Sequence, residues 1–291
     1  MSAERATPHD LSGTTAIITG ANSGLGLETA RALARDGARI VLAVRDTAKG
    51  EQAATRIPGQ TEVRQLDLAD LSSIHAFAHA WQGDIHLLIN NAGLMMVPES
   101  RTADGFETQF GVNHLGHFAL TNLLLEHVTG RVVTVSSGMH HAVRGIRFDD
   151  VNMAHGYSPT RAYGQSKLAN LLFTLELQQK LEQVGSPVRA TAAHPGYAAT
   201  NLQTRTGNRI TNQLMRIANT VFAQSAAAGA QPIHYAATAD MPGAGYAGPT
   251  GLGGMRGAPG PNRPSAAARD TTAARRLWDL SEKLTRATFP L

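Results

Sequence analysis

The chain has no cysteine among its 291 residues. This excludes disulfides, thiolate nucleophiles and cysteine-ligated metal sites, and we expect no metal centre. Charged residues are also few, at 16%, beside 42% hydrophobic residues. That balance is typical of an ordinary globular protein and not of a disordered chain.

Long apolar runs are lacking as well. No stretch reaches the roughly 18 apolar residues that a membrane-spanning helix needs. The N-terminal segment MSAERATPHDLSGTTAIITG has no apolar core of the kind that signal peptides contain. We therefore expect a soluble, cytoplasmic protein without a membrane span.

The positive charge is not concentrated in any one segment. The net charge is +4 and the sequence pI is about 9.7. Lys and Arg are scattered, with nothing denser than pairs such as Arg275 and Arg276. A nucleic-acid-binding surface needs a basic stripe or patch, so we expect no nucleic-acid partner. A mild positive bias suits an anionic cofactor equally well.

Short β-branched apolar runs alternate with longer helical stretches from residue 14 onward. Strands are predicted at 15–19, 38–44, 62–68, 86–90, 131–137 and 188–196, and helices at 27–37, 47–56, 72–81, 104–127, 160–184 and 225–239. Most strands are continuous apolar runs, which indicates burial on both faces. The order predicts one doubly wound Rossmann-fold α/β domain, a parallel sheet of about seven strands with helices on both faces.

The C-terminal part is organised differently within the same predicted domain, 1–291, whose core is 12–196. Residues 197–222 are polar with an amphipathic patch, and residues 242–264 are rich in Gly and Pro. The second segment is either a disordered linker or a last edge strand around 244–247 with an ordered loop, which we favour. A closing helix at 266–286 has a packing stripe formed by Leu277, Trp278, Leu280 and Leu284.

The segment TGANSGLG, residues 19–26, joins the first strand to the first helix. Gly20, Gly24 and Gly26 have a spacing that differs from the usual G-x-G-x-x-G dinucleotide fingerprint. Glycines here permit a sharp turn and let the backbone approach a pyrophosphate, which the helix N-terminus attracts. The alternative is a turn that needs glycine for packing alone. Further predicted cofactor contacts in this turn are Asn22, Ser23 and Leu25.

The second strand ends in AVRD, where the residue type separates the two nicotinamide dinucleotides. An arginine can pair with the 2′-phosphate of NADP, whereas a carboxylate accepts hydrogen bonds from the ribose of NAD. Arg45 favours NADP(H), and Asp46 keeps NAD(H) open if the strand ends one residue later. Asp67 and Leu68 end the third strand, and they either flank the adenine or serve as a strand cap and a core leucine.

Polar residues gather at the predicted carboxyl ends of the fourth and fifth strands. The segment NNAG places Asn91, Ala92 and Gly93 after the fourth strand, and Ser136 and Ser137 end the fifth. Ligands of open α/β sheets bind at this edge. We therefore expect the nicotinamide end of a cofactor beside these residues.

Two helices add further candidates. Asn113 stands in an apolar helix, where its burial needs a reason. Tyr163 and Lys167, in AYGQSKLAN, are four positions apart and share one helix face. The pair is either an acid/base unit or a half-buried aromatic beside a solvated lysine. His140 and His141 lie beside the fifth strand as candidate substrate contacts.

The ordered set of these motifs resembles the short-chain dehydrogenase/reductase family. TGANSGLG, NNAG, Asn113, a strand-ending serine, YGQSK and HPGYAAT follow one another over about residues 12–240. The segments RDTAKG, VNHLGHFALT and SKLANLLFTLEL are most similar to the retinol-dehydrogenase-like and protochlorophyllide-reductase-like branch, and we expect a bacterial member. Light-driven members rely on an active-site cysteine, so photocatalysis is not expected.

The resemblance implies a role for each candidate. Tyr163 would exchange a proton with the carbonyl or alcohol oxygen, and Lys167 would lower the pKa of the phenol and bind the nicotinamide ribose. Ser137 would polarise the carbonyl, while Ser136 would point away. Asn113 would hold a water that links Lys167 to solvent. The residues implied to close on the nicotinamide are Pro195, Gly196 and Thr200.

The resemblance also implies a substrate lid at 197–222. Its apolar residues, with LMMV at 94–97, favour a lipophilic carbonyl or a secondary or primary alcohol, and the insertion at 147–160 is expected to shape the substrate mouth. The predicted function is NADP(H)-dependent hydride transfer between nicotinamide and such a substrate. The alternative is a catalytically silent protein of the same fold that senses or binds NADP(H). A homo-oligomer is possible on either interpretation.

Overall fold

A computed structural model of the chain describes residues 9–196 and 225–291. Within these ranges eight strands form one sheet in the order β3-β2-β1-β4-β5-β6-β7-β8. The strands are β1 (Thr15–Thr19), β2 (Arg39–Val44), β3 (Thr61–Gln65), β4 (Ile85–Asn90), β5 (Val128–Val135), β6 (Arg189–Ala193), β7 (Tyr246–Gly251) and β8 (Arg256–Pro261). Neighbouring strands from β3 through β7 are parallel, and β8 is antiparallel to β7.

The helices connect these strands in the alternating order that the sequence predicts. They are α1 (Gly24–Arg35), α2 (Thr47–Ala54), α3 (Leu71–His79), α4 (Thr108–Phe110), α5 (Gly116–Leu124), α6 (Pro159–Gln183), α7 (Ala226–Thr238) and α8 (Thr271–Thr285). Among the described residues, no helix is both long and apolar enough to cross a membrane.

The sheet is covered on both faces. Successive residues of a strand point to opposite sides, so Ile17 packs in one apolar cluster with Phe118, whereas Ile18 packs in the other with Leu33. Helices α5, α6 and α8 contribute to the first cluster, and α1 and α7 to the second. This confirms the predicted doubly wound α/β architecture.

The Gly/Pro-rich segment 242–264 is a hairpin rather than one strand and a loop. β7 continues to Gly251, and β8 pairs with it so that Ala247 lies opposite Pro261. The last edge strand is therefore β8, and the expected seven strands become eight. Sequence patterning missed β8 because RGAPGP contains two prolines and two glycines, a composition tolerated only at a sheet edge.

The helix predicted over 104–127 is shorter and interrupted. A π-helical turn, Gly111–Leu115, joins α4 to α5, and a 3-10 turn, Leu125–His127, follows. Gly116, the first residue of α5, passes close to the backbone of Leu68: a Cβ on Gly116 would lie 2.6 Å from the Leu68 carbonyl oxygen. Asn113 therefore sits in a π turn, a feature that often marks functional sites.

The C-terminal helix α8 packs across α5 and α6. The ring of Trp278 lies 4.9 Å from that of Phe118 and 5.8 Å from that of Phe173. Leu277 and Trp278 are buried, and Leu280 and Leu284 pack beside them, which confirms the packing stripe.

Candidate active site

A cleft opens at the carboxyl ends of β1 and β4, where the strand order reverses. Its volume is about 490 Å³. Open α/β sheets bind ligands at this point because the connections on its two sides run in opposite directions. The predicted cofactor residues that line it are Gly20, Asn22, Ser23, Leu25, Gly26, Arg45, Asp67, Leu68, Asn91, Ala92 and Gly93.

The glycine turn is tight and leads directly into α1. Gly20 and Gly24 have left-handed backbone, with φ of +67° and +54°, and a Cβ on Gly26 would lie 2.5 Å from the carbonyl oxygen of Gly20. Ser23 stands at the N-cap of α1 but does not cap it with its side chain, whereas α2, α3 and α6 are capped by side chains. The first turn of α1 therefore offers N–H groups and a positive dipole to an anion in the cleft.

Two cationic residues, Arg45 and Lys49, lie at or just after the end of β2, and Lys49 binds both carboxylate oxygens of Asp46. Oδ1 of Asp46 accepts the backbone N–H of Lys49 at 3.1 Å, and Oδ2 pairs with Lys49 Nζ at 2.7 Å. The hydrogen bond from the Lys49 side chain is the main cause that lowers the pKa of Asp46. Arg45 and Lys49 both line the cleft. Lys49 is absent from the predicted site. Its place on a predicted helix, three positions after Asp46, could have indicated that its side chain reaches the same end of β2.

The loop after β4 is hydrogen-bonded to Thr19, the last residue of β1. The backbone N–H groups of Asn91 and Ala92 both donate to Thr19 Oγ1 at 2.9 Å, and Asn91 Nδ2 donates to the Thr19 carbonyl at 2.8 Å. Since two donors already reach the Thr19 oxygen, its own proton is left for His117 Nε2, 2.9 Å away. The Asn91 side chain thus holds the cleft wall in place by its bond to Thr19.

His117 continues this network to the π turn. Its Nδ1 lies 3.0 Å from the carbonyl oxygen of Asn113, and this acceptor requires the proton on Nδ1. Burial lowers the pKa of His117 to about 4, so the ring is neutral at physiological pH. Sequence patterning did not select Thr19 or His117 for the site, because the contact between them spans 98 positions.

Asn113 is buried and holds the loop that follows Gly93. Its Oδ1 accepts the Leu94 N–H at 2.7 Å, and its Nδ2 donates to the Leu94 carbonyl and to Ser166 Oγ, each at 2.9 Å. Both amide hydrogens are therefore used by protein groups. The water-holding role expected for Asn113 stays a prediction, and the contacts seen here are those of a residue that fixes the loop against α6.

Tyr163 and Lys167 lie on one face of α6, beside the end of β5. Lys167 Nζ is 5.7 Å from the centroid of the Tyr163 ring and donates to the Val135 carbonyl at 3.0 Å. The Ser137 side chain lies near the phenol and acts to lower its pKa, and its Oγ accepts the Met139 N–H at 3.2 Å. The Ser136 hydroxyl donates to the Lys167 carbonyl on the same helix at 2.8 Å. The two halves of the site meet at Gly93, where a Cβ would lie 3.5 Å from Lys167 Nζ.

Burial dominates the protonation of this pair. It raises the pKa of Tyr163 to about 12, against the lowering effect of the Ser137 side chain, and it lowers the pKa of Lys167 to about 8. The expected lowering of the phenol pKa by Lys167 stays a prediction, because desolvation and the Ser137 side chain are the causes of the shift seen here. At neutral pH Tyr163 holds its proton and Lys167 is mostly cationic.

His140 connects the serine turn to the C-terminal region. Its Nδ1 donates to the Ser137 carbonyl at 2.7 Å, and its Nε2 accepts the Ser265 N–H at 3.2 Å. Both ring nitrogens are therefore committed to backbone groups. His141 is exposed and lies against His140, with ring centroids 4.0 Å apart.

Pro195 and Gly196 follow β6 and are half-buried. Gly196 has a φ of +66°, and a Cβ there would lie 2.5 Å from the Met255 carbonyl oxygen, so the β7–β8 hairpin abuts this turn. Neither residue lines the cleft formed by the described part of the chain. Thr200 and the expected lid at 197–222 lie outside the described residues.

The sequence matches known proteins along most of its length. A family model for short chain dehydrogenases matches residues 14–210. Retinol dehydrogenase 12 of Mus musculus is 53% identical over 196 residues, which cover 63% of this chain and 61% of that protein. Retinol dehydrogenase 13 of Homo sapiens is 43% identical over 288 residues, or 94% of this chain and 84% of that protein. The match to the mouse protein thus spans less than two thirds of its length.

The fold has solved counterparts. An uncharacterised protein from Mycobacterium paratuberculosis superposes with a TM-score of 0.85 at 52% identity, covering 97% of each chain. A short chain dehydrogenase/reductase family protein superposes with a TM-score of 0.61 at 27% identity, covering 81% of this chain and 95% of that one.

Proposed function

Because this chain belongs to the short-chain dehydrogenase family, we propose that it is an NADP(H)-dependent oxidoreductase that interconverts a lipophilic carbonyl compound and its alcohol. The observation that carries the proposal is the meeting of two sets of residues at Gly93. On one side lies a cleft with an anion-binding helix end, and on the other lie Ser137, Tyr163 and Lys167.

The residues of the cleft, together with Lys167, could contact each part of a dinucleotide. The turn from Gly20 to Gly26 would hold the pyrophosphate, Asp67 and Leu68 would flank the adenine, and Asn91–Gly93 with Lys167 would meet the nicotinamide ribose. When bound, the cofactor supplies a hydride to the substrate carbon or accepts one from it.

The charges at the end of β2 support NADP(H) over NAD(H). The Asp46 carboxylate, the group that would accept hydrogen bonds from the ribose of NAD(H), is paired through both oxygens with Lys49. Arg45 lies on the cleft wall, and the Lys49 ammonium keeps two N–H donors besides the one that bonds Asp46, so both residues could pair with a 2′-phosphate.

Tyr163 is the proposed acid and base. With a pKa of about 12 its phenol keeps a proton at neutral pH, and it can donate that proton to a carbonyl oxygen that gains negative charge. The Lys167 ammonium, 5.7 Å from the ring, stabilises the phenolate that forms. In the oxidation direction the phenolate removes the alcohol proton. Ser137 would hydrogen-bond the same substrate oxygen.

The substrate class is proposed from apolar side chains and relatives. Leu94, Met95, Met96 and Val97 are half-buried at the cleft rim, and several relatives are named retinol dehydrogenases. A long apolar aldehyde or alcohol therefore suits this site better than a sugar.

The alternative, a protein that binds NADP(H) without turnover, predicts that the acid/base pair is dispensable. A decisive assay follows NADPH absorbance with retinal, a steroid ketone and a short aldehyde. We expect Tyr163→Phe to bind NADPH normally and to lose about 10²-fold or more in kcat, the size of a general acid contribution. Turnover of the variant within twofold of the wild type would contradict the assignment, and no turnover by the wild type with any carbonyl would favour the binding protein.

A further inference from the structure

The loop after Gly93 forms an apolar strap, residues 94–97, at the rim of the cleft. Leu94 lines the cleft, and all four side chains are half-buried. Met96 has a φ of +51°, a left-handed conformation that is unfavourable for a residue other than glycine. Such a backbone persists only where surrounding contacts hold it.

Three polar side chains supply those contacts. Asn113 bonds both backbone groups of Leu94. Gln109 Oε1 accepts the Met96 N–H at 2.7 Å, and the Tyr157 hydroxyl donates to the Val97 carbonyl at 2.8 Å. Three of the four residues of the strap are thus held, by the π turn, α4 and the insertion at 147–160.

Gln109 also connects the strap to the helix that carries Tyr163. Its Nε2 donates to the Tyr157 hydroxyl at 3.0 Å and to the Pro159 carbonyl at 3.1 Å. Pro159 is the first residue of α6, one turn before Tyr163. The Gln109 side chain is fully buried, and its oxygen and both amide hydrogens all have protein partners. Glu107 fixes its backbone by accepting the Gln109 N–H at 2.9 Å.

We propose that Gln109 is a positioning residue that sets the spacing between the apolar strap and the first turn of α6, and so sets the width of the entrance by which a lipophilic substrate reaches Tyr163. The inference rests on the proposed function and names a residue that controls substrate fit at the same site. Gln109 acts through the strap and not by contact with the reacting atoms.

Gln109→Leu tests this assignment, because leucine keeps much of the volume and removes all three hydrogen bonds. We expect amide exchange at Met96 to quicken at least about tenfold, and KM for a long apolar aldehyde to rise about tenfold, as loss of buried hydrogen bonds implies. KM for a short aldehyde and Kd for NADPH should change less than about twofold. Tyr157→Phe, a milder change, should shift the same quantities in the same direction.

Gln178→Leu is the matched control. Gln178, on α6, is a second buried glutamine, but it bonds Ala190 and Glu182, away from the strap. This variant should lower the thermal midpoint and leave both KM values unchanged. The assignment is overturned if Gln109→Leu leaves Met96 exchange and KM unchanged, or if Gln178→Leu produces the same KM shift. If the wild type reduces no carbonyl, the proposed function fails, and Met96 exchange still decides whether Gln109 fixes the strap.

Discussion

Thr19 Oγ1 and His117 Nε2 lie 2.9 Å apart, and this contact joins the end of β1 to α5. The same hydroxyl accepts the N–H groups of Asn91 and Ala92, while His117 donates to the carbonyl of Asn113. The glycine turn, the loop after β4 and the π turn are therefore parts of one buried network. At the centre of the network the neutral His117 ring accepts a hydrogen bond from the Thr19 hydroxyl and donates one to the Asn113 carbonyl.

Replacing His117 with phenylalanine should break this network. It removes the imidazole partner of the Asn113 carbonyl and leaves the Thr19 hydroxyl with only the Ile89 carbonyl, 3.4 Å away, which costs about 1–3 kcal/mol of unfolding free energy. Because the loop at 91–93 loses its support, NADPH should also bind more weakly. Urea unfolding and a fluorescence titration with NADPH measure the two effects. His155→Gln is the control, since that side chain is 91% exposed, and a wild-type urea midpoint for His117→Phe would argue against the network.

Stability should fall when the pH drops below about 6.5. Burial lowers the pKa of His114 to about 3 and that of His117 to about 4. Above pH 6.5 both rings are neutral in the folded and unfolded chain. Between 6.5 and about 4 the unfolded chain binds protons that the folded one does not, which costs about 1.4 kcal/mol per pH unit for each histidine.

Urea unfolding between pH 7.5 and 5 measures this slope before the ordinary carboxylates titrate. Glu107 acts in the opposite direction, since burial raises its pKa, and it offsets part of the loss. His114→Leu should make this slope shallower without abolishing it, because burial also lowers the pKa values of His117, His140 and His194. An unfolding free energy that stays level from pH 7 to pH 5 would show that these rings titrate normally.

The parts of the site that sequence could predict are those specified by local chemistry. Buried strand runs, the glycine turn and the four-residue interval between Tyr163 and Lys167 are each contained in one short segment. His117 and Gln109 could not be identified in this way, because their roles come from Thr19 and Pro159, which lie 98 and 50 positions away. Next to the π turn, Gly116 approaches Leu68 closely, which is another long-range contact.

Arg45→Ala should weaken NADPH binding and leave NADH binding nearly unchanged. One charge-assisted hydrogen bond to a phosphate contributes about 1.5–3 kcal/mol, so Kd for NADPH should rise about tenfold or more. Lys49→Ala should act in the same direction and also release Asp46 from its ion pair. NADH provides the internal control in the same titration. Equal losses for both cofactors would remove the case for a 2′-phosphate site.

Substitution by alanine should affect Gly24 and Gly26 of the glycine turn differently. At Gly24 a Cβ meets nothing within 4 Å, so the cost is that of a left-handed backbone, about 1 kcal/mol. At Gly26 a Cβ would lie 2.5 Å from the carbonyl oxygen of Gly20, so the turn itself must move. Gly26→Ala should therefore abolish measurable NADPH binding at concentrations that saturate the wild type. Thermal unfolding and cofactor titration compare the pair, and equal behaviour would mean that the turn tolerates displacement.

Carbonyl reduction should lose rate above about pH 8. Lys167 is cationic below its pKa of about 8 and neutral above it, so the charge that stabilises the Tyr163 phenolate disappears as the pH rises. The phenol itself, with a pKa of about 12, keeps its proton throughout this range. A fall in kcat/KM between pH 7.5 and 9.5 therefore reports on the lysine, since this ratio follows the free enzyme. Arginine keeps its charge to far higher pH, so in Lys167→Arg the fall in kcat/KM should shift to higher pH in whatever activity the variant retains.

Lys180→Arg is the control, because Lys180 lies on the same helix but against Trp278, and its pH profile should match that of the wild type. A wild-type kcat/KM that stays level to pH 9.5 would mean that Lys167 does not titrate in the site.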